Sequence, residues 1–167
     1  MTARILVAYA TRNGSTAEIA QAVGRELEKT GTAITVANIK TVRSLEGYTG
    51  VVIGGPLYMG SVDGAVRTFV AKNLSRLSEI PVAAFAVGIA PKDPKPEAAG
   101  QAMDALNKAI VPLAPVSSVL FAGYLDLVKV NFLMRRFLKM AKVPTGDFRD
   151  WNAIAAWARE LPEKMHI

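Results

Sequence analysis

The chain has 167 residues, is 51% hydrophobic and carries a formal net charge of +6, which fits one globular domain and excludes a disordered chain. It has no cysteine, which excludes disulfides, iron–sulfur clusters, thiolate metal sites and a cysteine nucleophile. A single histidine, His166, is next to last, so we expect no metal site and no Ser-His-Asp triad, and redox chemistry would need a bound organic cofactor.

Apolar runs typical of buried parallel strands alternate with helical patterns along the chain. Residues 4–10 are almost entirely apolar, as a strand buried on both faces requires, and residues 16–29 carry the apolar stripe of a helix. The same patterns predict strands over 33–39, within 48–54, over 82–89 and over 116–122, and helices over 65–74, 98–111 and 150–161. This alternation predicts a three-layer α/β fold with a five-stranded parallel sheet of order 2-1-3-4-5, in one domain spanning residues 1–167.

The loop after the first strand has the composition of a phosphate-binding loop. It reads Thr11-Arg12-Asn13-Gly14-Ser15-Thr16 and leads directly into the first helix. Gly14 permits close approach of the backbone to a phosphate, and the first N–H groups of a helix attract anions. Since the chain lacks both a Walker lysine and a G-x-G-x-x-G pattern here, a mononucleotide such as FMN is favoured over ATP, GTP or a dinucleotide. The alternative is that Ser15 and Glu18 form only a helix capping box.

Two further loops should meet the phosphate loop at the carboxyl edge of the sheet, where the strand order reverses. The loop after the third strand, residues 54–61, has glycines that allow close approach of a flat ligand and an aromatic, Tyr58, that could stack on it. A surface turn is the alternative for Tyr58. The loop after the fourth strand, residues 88–94, contains no aromatic and would flank the other side of the ligand. The residues from these loops that we expect to bind the cofactor are Pro56, Leu57, Tyr58, Met59, Gly60, Gly88, Ile89, Ala90 and Lys92.

A basic amphipathic insertion at about 124–146 separates the fifth strand from the last helix. Between residues 129 and 142 it has five basic residues and no acidic one. A helical projection puts the basic residues on one side and most apolar residues on the other. The pattern fits either a helix packed on the sheet edge or a helix that docks on anionic lipid. The basic residues are Lys129, Arg135, Arg136, Lys139 and Lys142.

These motifs resemble a known family. The loop at 11–16 is similar to the flavodoxin phosphate signature T-x-x-G-x-T. More narrowly, the chain resembles the flavodoxin-type, menaquinone-dependent protoporphyrinogen dehydrogenase family nearly end to end. The resemblance rests on residues 5–16, 51–54, the Gly60 loop, 69–72, 121–125, the basic insertion and Asp150-Trp151.

The resemblance implies a flavodoxin-like fold, an FMN cofactor with its phosphate on residues 11–16, and redox activity with a quinone as acceptor. It also implies that the insertion lies near the membrane or the substrate. One departure concerns residues 58–61, Tyr-Met-Gly-Ser, where the dehydrogenases tend to carry Arg-Tyr-Gly-His. The insertion is also shorter and has fewer aromatics, and both departures bear on the porphyrinogen substrate more than on FMN.

Three functions follow as hypotheses. The first is an FMN-dependent oxidoreductase with a quinone or porphyrinogen substrate; no residue is assigned a catalytic proton transfer. The second is a flavodoxin-type one-electron carrier that docks to protein partners. The third is a non-enzymatic FMN- or phosphate-binding module. No nucleic-acid motif accompanies the basic charge, so we expect no nucleic acid partner. With neither a signal peptide nor a long apolar segment, we expect a cytoplasmic protein that could touch the inner face of a membrane.

Overall fold

The protein is built around a twisted parallel sheet in a computed structural model that describes residues 2–88, 97–142 and 145–167. The strands are β1 (Arg4–Tyr9), β2 (Ala33–Asn38), β3 (Gly50–Tyr58), β4 (Ser61–Val62), β5 (Val82–Gly88), β6 (Ser117–Ala122), β7 (Tyr124–Leu125) and β8 (Gly146–Asp147). The five long strands lie in the order β2-β1-β3-β5-β6, all parallel. Since β4 is a two-residue strand paired antiparallel with the end of β3, the predicted order 2-1-3-4-5 of the long strands is confirmed.

Helices cover both faces of this sheet and complete the predicted three layers. They are α1 (Ser15–Glu28), α2 (Gly64–Lys72), α3 (Leu74–Leu77), α4 (Ala98–Ile110), α5 (Phe132–Met140) and α6 (Trp151–Lys164), with a 3-10 turn at Ile39–Thr41. One face packs against α1 and α6, and the other against α2, α3 and α4. Successive side chains of a strand point to opposite faces, so Ile5 and Val7 join the first core and Leu6 and Ala8 the second. This arrangement explains why β1 is apolar throughout.

An aromatic cluster fills the core beneath α6. The ring of Phe85 lies 5.8 Å from that of Phe121 and 6.0 Å from that of Trp157, in tilted and edge-to-face arrangements. The Trp157 indole N–H donates to the Ser117 hydroxyl at 2.9 Å, so the polar atom of this ring is satisfied. The cluster joins β5, β6 and α6 into one packed unit.

The structure corrects the interpretation of residues 54–58 as a loop. They continue β3, and Gly54, Gly55 and Pro56 pair with β5 at Phe85, Ala86 and Val87. A Cβ on Gly54 would lie 2.1 Å from the Phe85 ring, and one on Gly55 would lie 2.7 Å from Val66. These two glycines are therefore required by core packing, and not by the approach of a ligand.

The last helix is longer than its apolar pattern predicted. The predicted helix ended at residue 161, but α6 continues through Pro162 to Lys164. The residues on either side of the proline, Leu161 and Met165, are both buried, and the Met165 N–H donates to the Leu161 carbonyl at 2.8 Å. Core packing of the last turn outweighs the N–H lost at the proline. Among the helices in the described ranges, none is long and apolar enough to cross a membrane.

Candidate functional site

A cleft of about 810 Å³ opens at the carboxyl edge of the sheet, beside the ends of β1, β3, β5 and β6. Its size is in the range of cofactor and small-molecule sites. Most predicted binding residues of the described chain line it, namely Thr11, Arg12, Asn13, Ser15, Thr16, Pro56, Leu57, Tyr58, Met59, Gly60 and Gly88. Ile89, Ala90 and Lys92 lie outside the described residues. The structure therefore brings the first loop and the end of β3 together, as the position of the strand-order reversal predicts.

The phosphate loop makes a tight turn that leaves the start of α1 open. Gly14 has a φ of +91°, a left-handed conformation that favours glycine, and its N–H donates to the Thr11 hydroxyl at 3.0 Å. Gly14 is the N-cap of α1, and its carbonyl accepts the Glu18 N–H at 3.1 Å. In the described part of the chain, no side chain caps this helix. The first-turn N–H groups of α1 remain available for an anion.

The capping-box alternative for Ser15 and Glu18 is wrong. Ser15 is the first residue of α1 and not its cap, and its hydroxyl accepts the Tyr124 N–H at 3.1 Å. The Glu18 carboxylate pairs with Arg149. Thr16 is only 2% exposed, so its side chain is largely withdrawn from solvent at the base of the loop. Ser15 thus ties the phosphate loop to the chain that follows β6.

A tight β-hairpin forms the second wall of the cleft. Tyr58 of β3 pairs with Ser61 of β4, and the two turn residues, Met59 and Gly60, have φ values of 53° and 81°. Two consecutive left-handed residues are the mark of the type I′ turn that matches the twist of a hairpin. Met59 is 69% exposed at the tip. The end of the segment predicted as a loop is therefore a hairpin.

Arg12 connects the phosphate loop to this hairpin. Its guanidinium lies 4.7 Å from the centre of the Tyr58 ring and donates to the Asp63 carboxylate at 3.0 Å. Asp63 also caps α2, accepting the Ala65 N–H at 2.9 Å. That backbone bond, with the smaller effect of Arg12, holds the pKa of Asp63 below its usual value, so the pair is charged at neutral pH. Since Arg12 covers one face of the Tyr58 ring, only the opposite face could contact a flat ligand.

The residues after β6 form a third wall of the cleft, which the sequence pattern did not predict. Gly123, Tyr124 and Leu125 line the cleft, and the Gly123 N–H donates to the Gly88 carbonyl at 3.0 Å. The nearby Asp126 carboxylate, as the main cause, raises the pKa of the Tyr124 hydroxyl above its ordinary value, so this group stays protonated at neutral pH. The carboxyl end of β6 meets the same sheet edge as the ends of β1 and β3, and that rule could have identified these residues. The face of α4 that also lines the cleft gave no such signal.

The basic insertion contains a shorter helix than predicted. The sequence has a helical pattern over residues 129–142, but the helix itself, α5, runs only from Phe132 to Met140. Met134, Phe137 and Leu138 of this helix line the cleft. Several other apolar side chains of the insertion face solvent: Val128 is 82% exposed, Phe132 70%, Leu133 77% and Met140 75%. The apolar residues are therefore divided between the cleft and an exposed surface.

Arg135 differs from the other basic residues of the insertion. Its Nε donates to the Leu127 carbonyl at 2.8 Å, and its Nη2 to the Val130 carbonyl at 3.4 Å. It therefore closes the turn before α5 and is half-buried, so its contact with a partner stays a prediction. Lys129, Arg136, Lys139 and Lys142 are exposed.

Arg149 fastens the insertion to the phosphate-loop helix. The side chain is only 10% exposed, bonds to Asp147 through Nε at 2.8 Å and Nη2 at 2.7 Å, and pairs with Glu18 of α1. Its guanidinium lies 5.3 Å from the centre of the Tyr124 ring and 4.8 Å from the Trp151 ring. Bonding to Arg149 also lowers the pKa of Asp147, which keeps that carboxylate charged. Nothing in the local sequence pattern predicted this contact, because Glu18 lies 131 positions away.

We expect replacement of Arg149 by methionine to loosen the insertion. Methionine keeps much of the apolar stem and removes the charge-assisted bonds; since both carboxylates are partly solvated, the free energy of unfolding should fall by only about 1–2 kcal/mol. Amide hydrogen exchange should accelerate mainly in residues 124–128 and 145–148. The matched control is Arg159→Met in α6, whose exposed side chain pairs with Glu26; its loss should matter little, because Lys29 also pairs with that carboxylate. Equal exchange in both variants would contradict this role of Arg149.

Comparisons with known proteins agree with this geometry. The sequence profile of the flavodoxin domain family matches residues 6–152. Protoporphyrinogen IX dehydrogenase [quinone] of Escherichia coli strain K12 is 28% identical over 172 residues, covering 95% of this chain and 94% of the relative. The protein of that name from Escherichia coli O157:H7 gives the same values.

Solved flavodoxins share the fold. Oxidised Flavodoxin 1 of Bacillus cereus superposes with a TM-score of 0.65 at 17% identity, covering 96% of this chain and 98% of that one. The flavodoxin of Streptococcus pneumoniae TIGR4 gives a TM-score of 0.62 at 18% identity, with coverage of 97% and 99%. An archaeal flavodoxin gives 0.61 at 15% identity, with coverage of 98% and 99%. The family profile, which spans most of the sequence, and the open phosphate loop agree with the predicted resemblance: the chain belongs to the flavodoxin domain family.

Proposed function

We propose that this protein is an FMN-dependent oxidoreductase that exchanges electrons with a quinone. The observation that carries the proposal is the uncapped start of α1, behind a left-handed glycine, at the floor of a cleft of cofactor size. The proposed phosphate site is residues 11–16. The proposed ring site comprises residues 56–60 and the chain after β5, from Gly88 through Ile89, Ala90 and Lys92, of which the last three lie outside the described residues.

The residues in the cleft fit this cofactor. A phosphate requires several N–H donors without a competing carboxylate, and the open first turn of α1 with the nearby Thr11, Asn13 and Ser15 side chains offers them. Of the carboxylates close to the loop in the described residues, Asp63 is paired with Arg12, and Glu18 of the first turn of α1 is paired with Arg149. A flat ring requires apolar walls, and Leu57 and Val87 line the adjoining part of the cleft. Membership of the flavodoxin family supports the same cofactor.

Bound FMN would supply the electron transfer, and the protein would supply binding, orientation and exclusion of water. The phosphate loop would fix one end of the cofactor through backbone N–H groups. The bond from Arg12 to Asp63 would hold the hairpin in place, and the hairpin would form the wall beside the flavin ring. Tyr124 also lines the cleft, and its hydroxyl, hydrogen-bonded to the Asp126 carboxylate, stays protonated in the physiological range.

The quinone assignment is supported by the Escherichia coli relatives, whose name specifies protoporphyrinogen IX dehydrogenase with a quinone. The hairpin tip Tyr58–Ser61 differs from the pattern of that family. We therefore propose the quinone as the electron acceptor and an organic reductant as the electron donor. Porphyrinogen is the first donor to test. The test has two halves: anaerobically reduced, FMN-loaded protein is mixed with a series of quinones, and oxidised, FMN-loaded protein is mixed anaerobically with porphyrinogen. Rapid reoxidation of the bound flavin by a quinone, repeated over many turnovers, supports an enzyme.

A one-electron carrier is the second candidate, and the flavodoxin folds of the solved neighbours favour it. A carrier would reoxidise with a redox protein much faster than with any quinone. Its basic insertion would make that association strongly dependent on salt. Absence of quinone turnover together with salt-dependent reaction with an acidic redox protein would replace the first proposal by this one.

Peripheral contact with an anionic membrane is part of the proposal. The exposed apolar side chains of the insertion lie beside four exposed cations, the combination that binds the interface of an anionic bilayer. Between residues 127 and 146 the sequence contains no acidic residue that would repel anionic lipid. The cations are Lys129, Arg136, Lys139 and Lys142.

Removing three of these cations should weaken binding to anionic vesicles about a hundredfold. Each basic residue near an anionic surface contributes about 1 kcal/mol, so the variant R136Q/K139Q/K142Q should lose about 3 kcal/mol at low salt. Vesicle co-sedimentation, with FMN content measured in parallel, checks this. The matched control R25Q/R43Q/K72Q removes the same charge at exposed positions elsewhere and should bind nearly as the unmodified protein does. An equal loss in both variants would show that net charge alone, and not the insertion, attracts the vesicle.

A further inference from the structure

Helix α5 presents one apolar face to the cleft and a second apolar face to solvent. With about 100° between successive residues, Phe137, Met134 and Leu138 follow one another around the side that lines the cleft. Leu133 and Met140 lie next to that side, beyond Phe137, and are 77% and 75% exposed. The two apolar surfaces are therefore continuous around the helix, and Phe137, 47% exposed, lies where they meet.

The basic side of α5 shows how the helix would lie on a membrane. Arg136 and Lys139 are exposed on the side away from Met134 and Leu138. A bilayer surface that contacts Leu133 and Met140 would place these cations at the level of the headgroups. The cleft wall would then begin at the edge of the apolar phase, because Phe137 belongs to both surfaces.

We propose that α5 is an access wall, along which a lipophilic, long-tailed quinone passes from the bilayer into the cleft. This inference rests on the proposed function and adds to it the route by which the quinone enters. A tail that moves along Phe137, Met134 and Leu138 keeps apolar contact from the membrane to the cleft, and so avoids the cost of exposing an alkyl chain to water. A short-tailed, water-soluble quinone needs no such wall and can enter from solvent.

Residues at the two ends of the insertion hold this wall in place beside the phosphate loop. The Tyr124 N–H is bonded to Ser15, the Phe148 N–H donates to the Gly123 carbonyl at 3.0 Å, and Arg149 is paired with Glu18. These contacts fix both ends of the insertion to the edge of the sheet that carries the proposed cofactor site. The wall is therefore positioned by the same residues that position the cleft.

The test compares two quinones and two double variants. FMN-loaded protein is reduced anaerobically and mixed either with a short-tailed quinone in water or with anionic vesicles that contain a long-tailed quinone, at saturating lipid. In the access-wall variant M134Q/F137Q at saturating lipid, we expect reoxidation by the vesicle quinone to slow at least tenfold more than reoxidation by the soluble quinone. In detergent micelles, the affinity of the oxidised protein for the long-tailed quinone, followed by quenching of FMN fluorescence, should fall by a similar factor.

The matched control is F132Q/M140Q, which changes two exposed apolar residues of the same helix that do not line the cleft. It should bind vesicles less tightly, and saturating lipid should restore its reoxidation rate, whereas the access-wall variant should stay slow. If M134Q/F137Q slows both quinones equally, or neither, the access wall is wrong. Failure of the proposed function is distinguishable, because the unmodified protein would then bind no FMN or fail to react with either quinone.

Discussion

Replacing Gly54 by alanine is expected to lower the free energy of unfolding by about 3 kcal/mol or more, the upper range for an overpacked core. The new Cβ would lie 2.1 Å from the Phe85 ring, far inside van der Waals contact. Phe85 is fully buried and packs against Phe121 and Trp157, so its ring cannot move without disturbing two further aromatics. Urea unfolding followed by circular dichroism and by tryptophan fluorescence measures the change.

A matched glycine tests whether the loss comes from this contact. Gly64 is the first residue of α2, has no left-handed φ, and offers a Cβ nothing within 4 Å. Gly64→Ala should therefore be neutral or slightly stabilising, since alanine has the better helix propensity. A second variant, Gly54→Ala combined with Phe85→Leu, should recover part of the lost stability by making room for the methyl group. If Gly54→Ala unfolds at the same urea concentration as the unmodified protein, the proposed packing of β3 on β5 is wrong.

The second large effect concerns Asn13 of the phosphate loop. Its replacement by aspartate keeps the shape of the side chain and places a negative charge in the proposed phosphate site. Two like charges about 4 Å apart at an effective dielectric constant of about 20 repel by about 4 kcal/mol. Asn13 is exposed, so water will screen part of this repulsion. We expect the affinity for FMN to fall about a hundredfold, which corresponds to about 2.7 kcal/mol.

Riboflavin is the control ligand for this variant, because it has the flavin ring without the phosphate. Asn13→Asp should change the affinity for riboflavin by less than threefold, and Asn13→Ser, which is uncharged, should change the affinity for FMN far less than aspartate does. Titrations followed by flavin fluorescence at two salt concentrations would also show the repulsion weakening at high salt. A loss that is equal for FMN and riboflavin would place the phosphate elsewhere.

The layers of the fold were predictable because they depend on local patterns. The uninterrupted apolar run of β1 and the apolar stripe of α1 each report burial directly, and the rules for parallel sheets then limit the order of the strands. The length of β3 was not predictable in this way. Its residues Gly54, Gly55 and Pro56 are typical of a turn. Only the structure shows that Phe85 and Val66 leave no room for a side chain at the two glycines.

The same distinction applies to the candidate site. Residues 11–16 could be proposed as a phosphate loop because the chemistry lies in six consecutive residues, and residues 56–60 as a second wall because they follow a neighbouring strand, although their hairpin shape was not predicted. The contacts of Arg12 with Asp63, Ser15 with Tyr124 and Glu18 with Arg149 join residues that are distant in sequence. The sequence also could not predict that α5 has one apolar face in the cleft and another in solvent. A periodic pattern shows which residues are apolar, but it does not show what each of them contacts.

Whether residues 11–16 bind the phosphate of FMN is tested most directly by a comparison of two flavins. The purified apoprotein is titrated with FMN and with riboflavin under the same conditions, and the quenching of flavin fluorescence gives both dissociation constants. If the open first turn of α1 holds the phosphate, FMN should bind at least a hundredfold more tightly than riboflavin. Equal affinities, or no binding of either flavin, would contradict the account.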